Sequence, residues 1–158
     1  MVESKTQRNS VTIDGYSCHR LDRKSGVCIY VNNRLQLRRL VLQKTLDFAE
    51  LIWVRVSCSV NVTSQHFCVC VCYHPPKLRY ASPDLISVLQ DNLNELLVAY
   101  ANDVFVIAGD LNQLRYHCLL VDFALSQIVT EPTRNCNILD SFLTSRPDLF
   151  DCSVAKSV

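Results

Sequence analysis

The chain has 158 residues, 49% of them hydrophobic, which is enough for one globular core and fits a single domain. Sixteen basic and fifteen acidic side chains leave a formal charge of +1, so no global field favours nucleic acid or an anionic membrane. Any polyanion site must therefore be local. Only three glycines and five prolines argue against a disordered or low-complexity chain.

The nine cysteines raise the question of a disulfide framework. Their number is odd, and the N-terminal residues MVESKTQRNS lack the apolar run of a secretory signal, so we expect an intracellular, reducing location and no disulfide-linked partner. Cys68, Cys70 and Cys72 alternate, which in a strand places three thiols on one face. We favour core packing because no CxxC-type turn is present, although His66 and His74 flank this segment and leave a metal site open. No run approaches the roughly 20 apolar residues of a membrane span.

The first half of the chain predicts strands. Residues 26–31, GVCIYV, form an apolar run between polar segments. Residues 51–56 alternate with a period of two, and residues 67–73 form a further strand. The short link between these two strands predicts an antiparallel hairpin. Residues 40–48 are ambiguous.

The hydrophobic period changes after residue 81. Ser82 is a residue type that caps helices and Pro83 suits the first helical position, and leucines spaced by three and four then predict a helix ending near Asn102. Residues 104–108 are a continuous apolar run, as expected of a strand buried on both faces. A weaker helix is predicted over 116–127 and a last strand over 138–144. Hairpin-linked strands followed by alternating helices and strands indicate an α/β or α+β layered fold.

The buried strand runs directly into Gly109, Asp110, Leu111 and Asn112. A carboxylate held at a rigid strand end can bind a hard divalent cation or take a proton from water. A carboxamide two residues later can orient that water or a phosphate oxygen. The alternative is a strand-terminating turn in which both side chains only bond local amides. These four residues alone leave both interpretations open.

Four segments carry a family resemblance, and they occur in the family's order. They are DGYSCHRLDRKSGVCIYV, VCVCYHPP, VFVIAGDLN and LSQIVTEPTRNCNILDSFLTS, within residues 14–145. Together they resemble the endonuclease/exonuclease/phosphatase superfamily, and more closely the apurinic-type endonuclease domain of LINE-like non-LTR retrotransposons. The resemblance implies an α/β (α+β) fold, an incomplete four-layer α/β/β/α sandwich. We expect residues 1–158 to form one such domain, truncated at both ends.

The resemblance also implies a reaction, magnesium-assisted hydrolysis of a DNA phosphodiester. The nick would leave a 3′ hydroxyl that primes reverse transcription. On the matching positions, Asp110 would orient or deprotonate the attacking water, and Asn112 would help hold the scissile phosphate. Tyr73 matches the tyrosine that approaches this phosphate. Asp140 matches the carboxylate that supports the family's catalytic histidine.

Further positions match the family's substrate and metal contacts. Thr133 and Arg134 match a loop near the DNA path, and Glu3 matches the glutamate that binds the Mg²⁺ cofactor. The family closes with a Ser-Asp-His segment, but no histidine follows Asp140, so we expect the chain alone not to nick DNA. The implied partners are the DNA backbone and the reverse transcriptase domain of the parent element, and the implied location is the nucleus. The alternatives are a non-catalytic remnant or interaction domain of the same fold, or a phosphatase or repair nuclease of the same superfamily.

Overall fold

The computed structural model describes residues 12–21, 26–47, 49–60, 63–77 and 79–155. Over these ranges the chain forms eight strands, two α-helices and one turn of 3₁₀ helix. In chain order the elements are β1 (Tyr16–Leu21), β2 (Val27–Asn32), β3 (Gln36–Arg39), β4 (Glu50–Val60), β5 (Thr63–Tyr73), α1 (Ser82–Ala99), β6 (Val104–Asp110), α2 (His117–Asp122), β7 (Ser126–Gln127), β8 (Asp140–Thr144) and the 3₁₀ turn Pro147–Leu149.

Six of the strands form one mixed sheet in the order β3-β4-β5-β6-β8-β7. The pair β4-β5 is the predicted antiparallel hairpin. Strands β5 and β6 are parallel, as a helical crossover through α1 requires. Strand β8 returns antiparallel to β6. The predicted mixed α/β architecture is confirmed.

The two faces of this sheet are covered by different layers. The leucine stripe of α1 packs on one face, where it contacts Cys68, Cys70 and Cys72 in a single buried cluster. The core placement predicted for these three thiols is therefore confirmed. The β1-β2 hairpin covers the opposite face, and Val27 and Val31 pack there against apolar residues of β4. Among the described residues, no helix is long and apolar enough to cross a membrane.

The predicted start of α1 is wrong in detail. Ala81 occupies the capping position, with extended backbone, and Ser82 is already the first helical residue. The Ser82 hydroxyl makes no capping hydrogen bond, because it is bonded instead to the His74 ring. The helix also ends at Ala99, before the predicted Asn102. Tyr100 leaves the helical conformation, and its ring stacks against the Arg55 guanidinium.

The helix predicted over residues 116–127 is too long. Helix α2 ends at Asp122, and Ala124 adopts a φ of 50°, a left-handed conformation that does not continue a helix. The chain then forms β7, which pairs with β8 at the edge of the sheet. Strands β1 and β3 were not predicted, because their residues are partly or fully exposed and lack a clear apolar period. The strand predicted over 138–144 begins at Asp140.

Candidate active site

The strand ends bring four polar residues to one edge of the sheet. Glu50 faces Tyr73 across the β4-β5 pair, and Asp110 faces Asp140 across the β6-β8 pair. The His74 N–H donates to the Asp110 carbonyl at 2.9 Å, which extends the parallel β5-β6 ladder and sets Asp110 beside Tyr73. Residues at paired positions lie on the same face of a sheet. We call Glu50, Tyr73, Asp110 and Asp140 the polar row; with strands about 4.8 Å apart it spans roughly 14 Å.

Gly109 determines how closely β6 approaches β5 at this edge. Its φ is +141°, and a Cβ added there would lie 2.0 Å from the Cys72 carbonyl oxygen. Only glycine fits this position, because any side chain would collide with main-chain atoms. Residues 104–107 are buried in the sheet, and Ile107 is completely inaccessible. Gly109 thus allows β6 to present Asp110 at the rim of a rigid strand.

The Asp110 carboxylate has one oxygen with unusual surroundings. Its Oδ1 atom is buried and has no hydrogen-bond partner among the described residues. That oxygen is therefore not bonded to an amide of the following turn. Asp140 lies directly opposite and is exposed. Like charges at directly opposed positions of a sheet repel, so a cation at this point would stabilise the pair.

Asn112 is oriented by neighbouring main chain. It adopts a left-handed conformation with φ of 47°, a conformation that asparagine tolerates better than most residues. Its Nδ2 donates to the His74 carbonyl at 2.6 Å, and its backbone N–H donates to Leu139 at 3.1 Å. The side chain bonds backbone, as the turn alternative proposes, but its partner, His74, belongs to a distant segment that directly follows β5. The bond fixes the plane of the carboxamide, which has a second N–H for a ligand.

Tyr73 and Glu50 form the other half of the polar row. Tyr73 is half-buried and packs against the cluster under the β1-β2 hairpin. Glu50 is 5% exposed, and it is not among the residues predicted from the sequence. A signal was present: the alternation of Ile52, Val54 and Val56, extended backward by two residues, places Glu50 on their face.

Thr133 and Arg134 have different surroundings. The Thr133 hydroxyl accepts hydrogen bonds from the N–H groups of Leu139 and Asp140, at 3.0 and 3.2 Å. Thr133 therefore holds the start of β8 and positions Asp140, a local role that the motif match did not include. Arg134 lies in a tight turn that it closes with Asn137, and it is exposed. Its guanidinium is accessible from solvent.

The predicted Mg²⁺ can be compared with the available donors. In the described part of the chain, no group of three or more His, Cys, Asp or Glu side chains could hold a metal ion. Glu3 lies outside the described residues. However, Mg²⁺ is commonly bound by one or two carboxylates, with waters and substrate phosphates as the other ligands. The buried Asp110 Oδ1 and the opposed Asp140 carboxylate fit that chemistry.

Comparison with known proteins identifies the fold. No family model and no curated protein matches the chain. Solved structures do match, among them an endonuclease/exonuclease/phosphatase family protein from Bacteroides thetaiotaomicron, with a TM-score of 0.58, 15% identity, and coverage of 83% of this chain and 61% of that one. A mannosyl-6-phosphatase from the same species matches with a TM-score of 0.59 and 14% identity, and the match covers 84% of this chain and 64% of that one. The human Nocturnin catalytic domain with bound sulfate matches with a TM-score of 0.54 and 14% identity, and the match covers 84% of this chain and 61% of that one.

These likenesses establish the fold alone, because the sequence identities are 14–15%. The chain has the mixed α/β fold of the endonuclease/exonuclease/phosphatase type, as the sequence resemblance predicted. It spans 61–64% of the length of these three structures.

Proposed function

We propose that this chain carries the catalytic face of a magnesium-dependent DNA endonuclease from a non-LTR retrotransposon. The observation that supports this most is the strand register that sets Asp110 opposite Asp140 and beside Tyr73. Asp110 orients or deprotonates the attacking water, which is the role that the motif match gives it. Asn112 donates its second amide hydrogen to a phosphate oxygen, and the Tyr73 hydroxyl approaches the same group.

Asp110 and Asp140 are the described residues that would hold Mg²⁺, and Glu3 is the further ligand that the motif match indicates. When bound, the ion supplies Lewis-acid polarisation of a phosphate oxygen. Thr133 contributes by holding the main chain of Asp140 in place. Arg134 contacts the substrate from outside the polar row.

Nucleic acid is the favoured substrate because basic side chains surround this edge of the sheet. The loops that leave β5 and β6 and the loop that enters β8 carry Lys77, Arg115 and Arg134, all exposed. The formal charge of +1 over the chain gives no global attraction for DNA, so any attraction must come from such local groups. Several separated cations suit successive phosphates of a polynucleotide better than a single phosphomonoester.

The retrotransposon assignment is supported by the segment LSQIVTEPTRNCNILDSFLTS and its similarity to that branch of the superfamily. In such an element, the nick supplies the primer for a reverse transcriptase domain, which is the proposed partner. Target DNA is chromosomal, so the proposed site of action is the nucleus. A reverse transcriptase reading frame downstream in the same locus would support this assignment, and its absence from every copy would contradict it.

Plasmid nicking tests the proposed activity. We expect the 158-residue chain alone to leave supercoiled plasmid intact in Mg²⁺. A version extended by a first strand and a Ser-Asp-His segment should nick it, and Asp110→Ala should abolish the nicking. The control is Asp151→Ala, which removes an exposed carboxylate outside the row. Hydrolysis of p-nitrophenyl phosphate without nicking would instead indicate a phosphatase. A folded, extended protein with neither activity would support a non-catalytic domain.

A further inference from the structure

His74 has a buried ring whose contacts lie next to the polar row. The residue is 5% exposed, and its Nε2 lies 3.1 Å from the Ser82 hydroxyl at the start of α1. The Tyr80 ring lies on another side, with its centroid 6.1 Å from the imidazole centroid. The imidazole thus connects the end of β5 to the helix that covers the sheet.

The main chain of His74 bonds the strand end that carries the catalytic candidates. Its N–H donates to the Asp110 carbonyl at 2.9 Å, and its carbonyl accepts from Asn112 Nδ2 at 2.6 Å. Pro75 and Pro76 follow residue 74 and cannot donate a main-chain hydrogen bond, because proline has no N–H. Residue 74 is therefore the last position here whose main chain can both donate and accept one. The place of its carbonyl determines the place of the Asn112 carboxamide.

The surroundings of the ring disfavour its protonation. Burial lowers the pKa of His74, while the Leu111 carbonyl and the Asp110 carboxylate, which face the ring, act in the opposite direction with smaller effect. A neutral imidazole can share a hydrogen bond with a hydroxyl without placing a charge in the core. The His74-Ser82 contact joins the residue after β5 to the start of α1.

We propose that His74 is a positioning residue of the hydrolytic site: its ring, tied to Ser82, holds the carbonyl that orients the Asn112 carboxamide toward the scissile phosphate. The effect of His74 on hydrolysis rests on the proposed function. The effect of His74 on the orientation of Asn112 does not depend on that function. The motif match did not assign a role to this position, which lies between the tyrosine and the two prolines.

The chain offers a matched control at the opposite end of β5. His66 Nδ1 lies 2.8 Å from the Ser57 hydroxyl, so it makes the same kind of histidine-serine contact far from the polar row. His74→Phe and His66→Phe remove the same nitrogens and keep an aromatic ring. A general effect of losing such a contact would appear in both variants.

The test has two readouts, hydrogen exchange of the Asn112 side-chain amide by NMR, and kcat and KM for nicking by the extended protein. For His74→Phe we expect roughly tenfold faster exchange, because one hydrogen bond of ordinary strength is loosened. We expect kcat to fall about 10- to 100-fold with little change in KM, as for other supports of a reacting group. His66→Phe should change neither quantity.

Serine variants address the same contact from the helix side. Ser82→Ala should reproduce the faster exchange and lower kcat of His74→Phe, and Ser82→Thr, which keeps the hydroxyl, should restore both. If His74→Phe does not fold, this pair decides the inference. Unchanged Asn112 exchange in both His74→Phe and Ser82→Ala would overturn it. The extended protein without substitutions could cleave nothing while these variants still show faster Asn112 exchange. That result would contradict the proposed function and support the positioning of Asn112.

Discussion

Asp110 and Asp140 lie directly opposite each other on adjacent antiparallel strands, with both side chains on the same face of the sheet. Two carboxylates in this arrangement repel, and the Asp110 Oδ1 is buried with no hydrogen-bond partner among the described residues. The arrangement is understandable if a cation and a phosphate complete the site.

Removing one of these charges should therefore stabilise the protein. We expect Asp110→Asn to raise the free energy of unfolding by about 1 kcal/mol in the absence of divalent cations, because the cross-strand repulsion is relieved. The measurement is urea denaturation at pH 7. Asp103→Asn is the control, since Asp103 accepts two hydrogen bonds from Arg55 and its neutralisation should lower stability. A loss of similar size in both variants would contradict the prediction.

Gly109→Ala should be severely destabilising. The new Cβ would lie 2.0 Å from the Cys72 carbonyl oxygen, and the backbone φ of +141° disfavours a side chain. We expect a loss of about 4 kcal/mol or more in the free energy of unfolding, or no folded protein. Gly15→Ala is the matched control: Gly15 also has a positive φ, +79°, but nothing lies within 4 Å of the added atom. Gly15→Ala should lower the free energy of unfolding by only about 1 kcal/mol. Equal losses in the two variants would show that the contact between residue 109 and the Cys72 carbonyl does not cause the effect.

The Arg55-Asp103 ion pair should contribute to stability. Arg55 bonds both carboxylate oxygens, at 2.6 and 3.1 Å, and the Asp103 side chain is 6% exposed. Arg55→Met leaves this carboxylate buried without its cation, at an expected loss of about 3 kcal/mol in denaturant unfolding. Arg146→Met removes the corresponding cation from the exposed Arg146-Asp148 pair, and no measurable change is expected there. Similar losses in both variants would contradict the argument from burial.

Thiol labelling should separate the cysteines by burial. Burial raises the pKa of Cys68 and Cys72 to about 12 and that of Cys70 well above its ordinary value, so these thiols stay protonated between pH 7 and 9. Iodoacetamide should modify the exposed Cys136 and Cys152 in native protein, and the buried three only after unfolding, at either pH. Peptide mass spectrometry measures this. Native labelling of Cys70 as fast as Cys136 would contradict the burial of β5.

The sequence predicted those parts of the fold that depend on local pattern. The apolar run before Gly109 identified a buried strand, and a strand that is buried up to its last residues fixes where Asp110 must emerge. The leucine spacing of α1 identified a covering helix. The parallel pairing of β5 and β6 was not predicted, although a crossover helix between two strands favours it, and this pairing places Tyr73 beside Asp110.

Other features depend on contacts between distant segments, and no local period predicts them. The Ser82 hydroxyl could cap its helix or bond another residue. It bonds another residue because the tertiary fold places the His74 ring beside it. Thr133 matched a substrate loop by motif, but its hydroxyl bonds the start of β8. The short strand β7 forms only because β8 offers an edge to pair with.

Paramagnetic broadening locates the divalent cation that we propose at Asp110 and Asp140. Mn²⁺ is titrated into ¹⁵N-labelled protein, and the amide signals that broaden first locate the ion. We predict selective broadening at Tyr73, Asp110 and Asp140, which is lost in Asp110→Asn and retained in Asp103→Asn. Broadening centred on any other part of the chain, or unchanged broadening in Asp110→Asn, would show that the cation does not bind at Asp110 and Asp140.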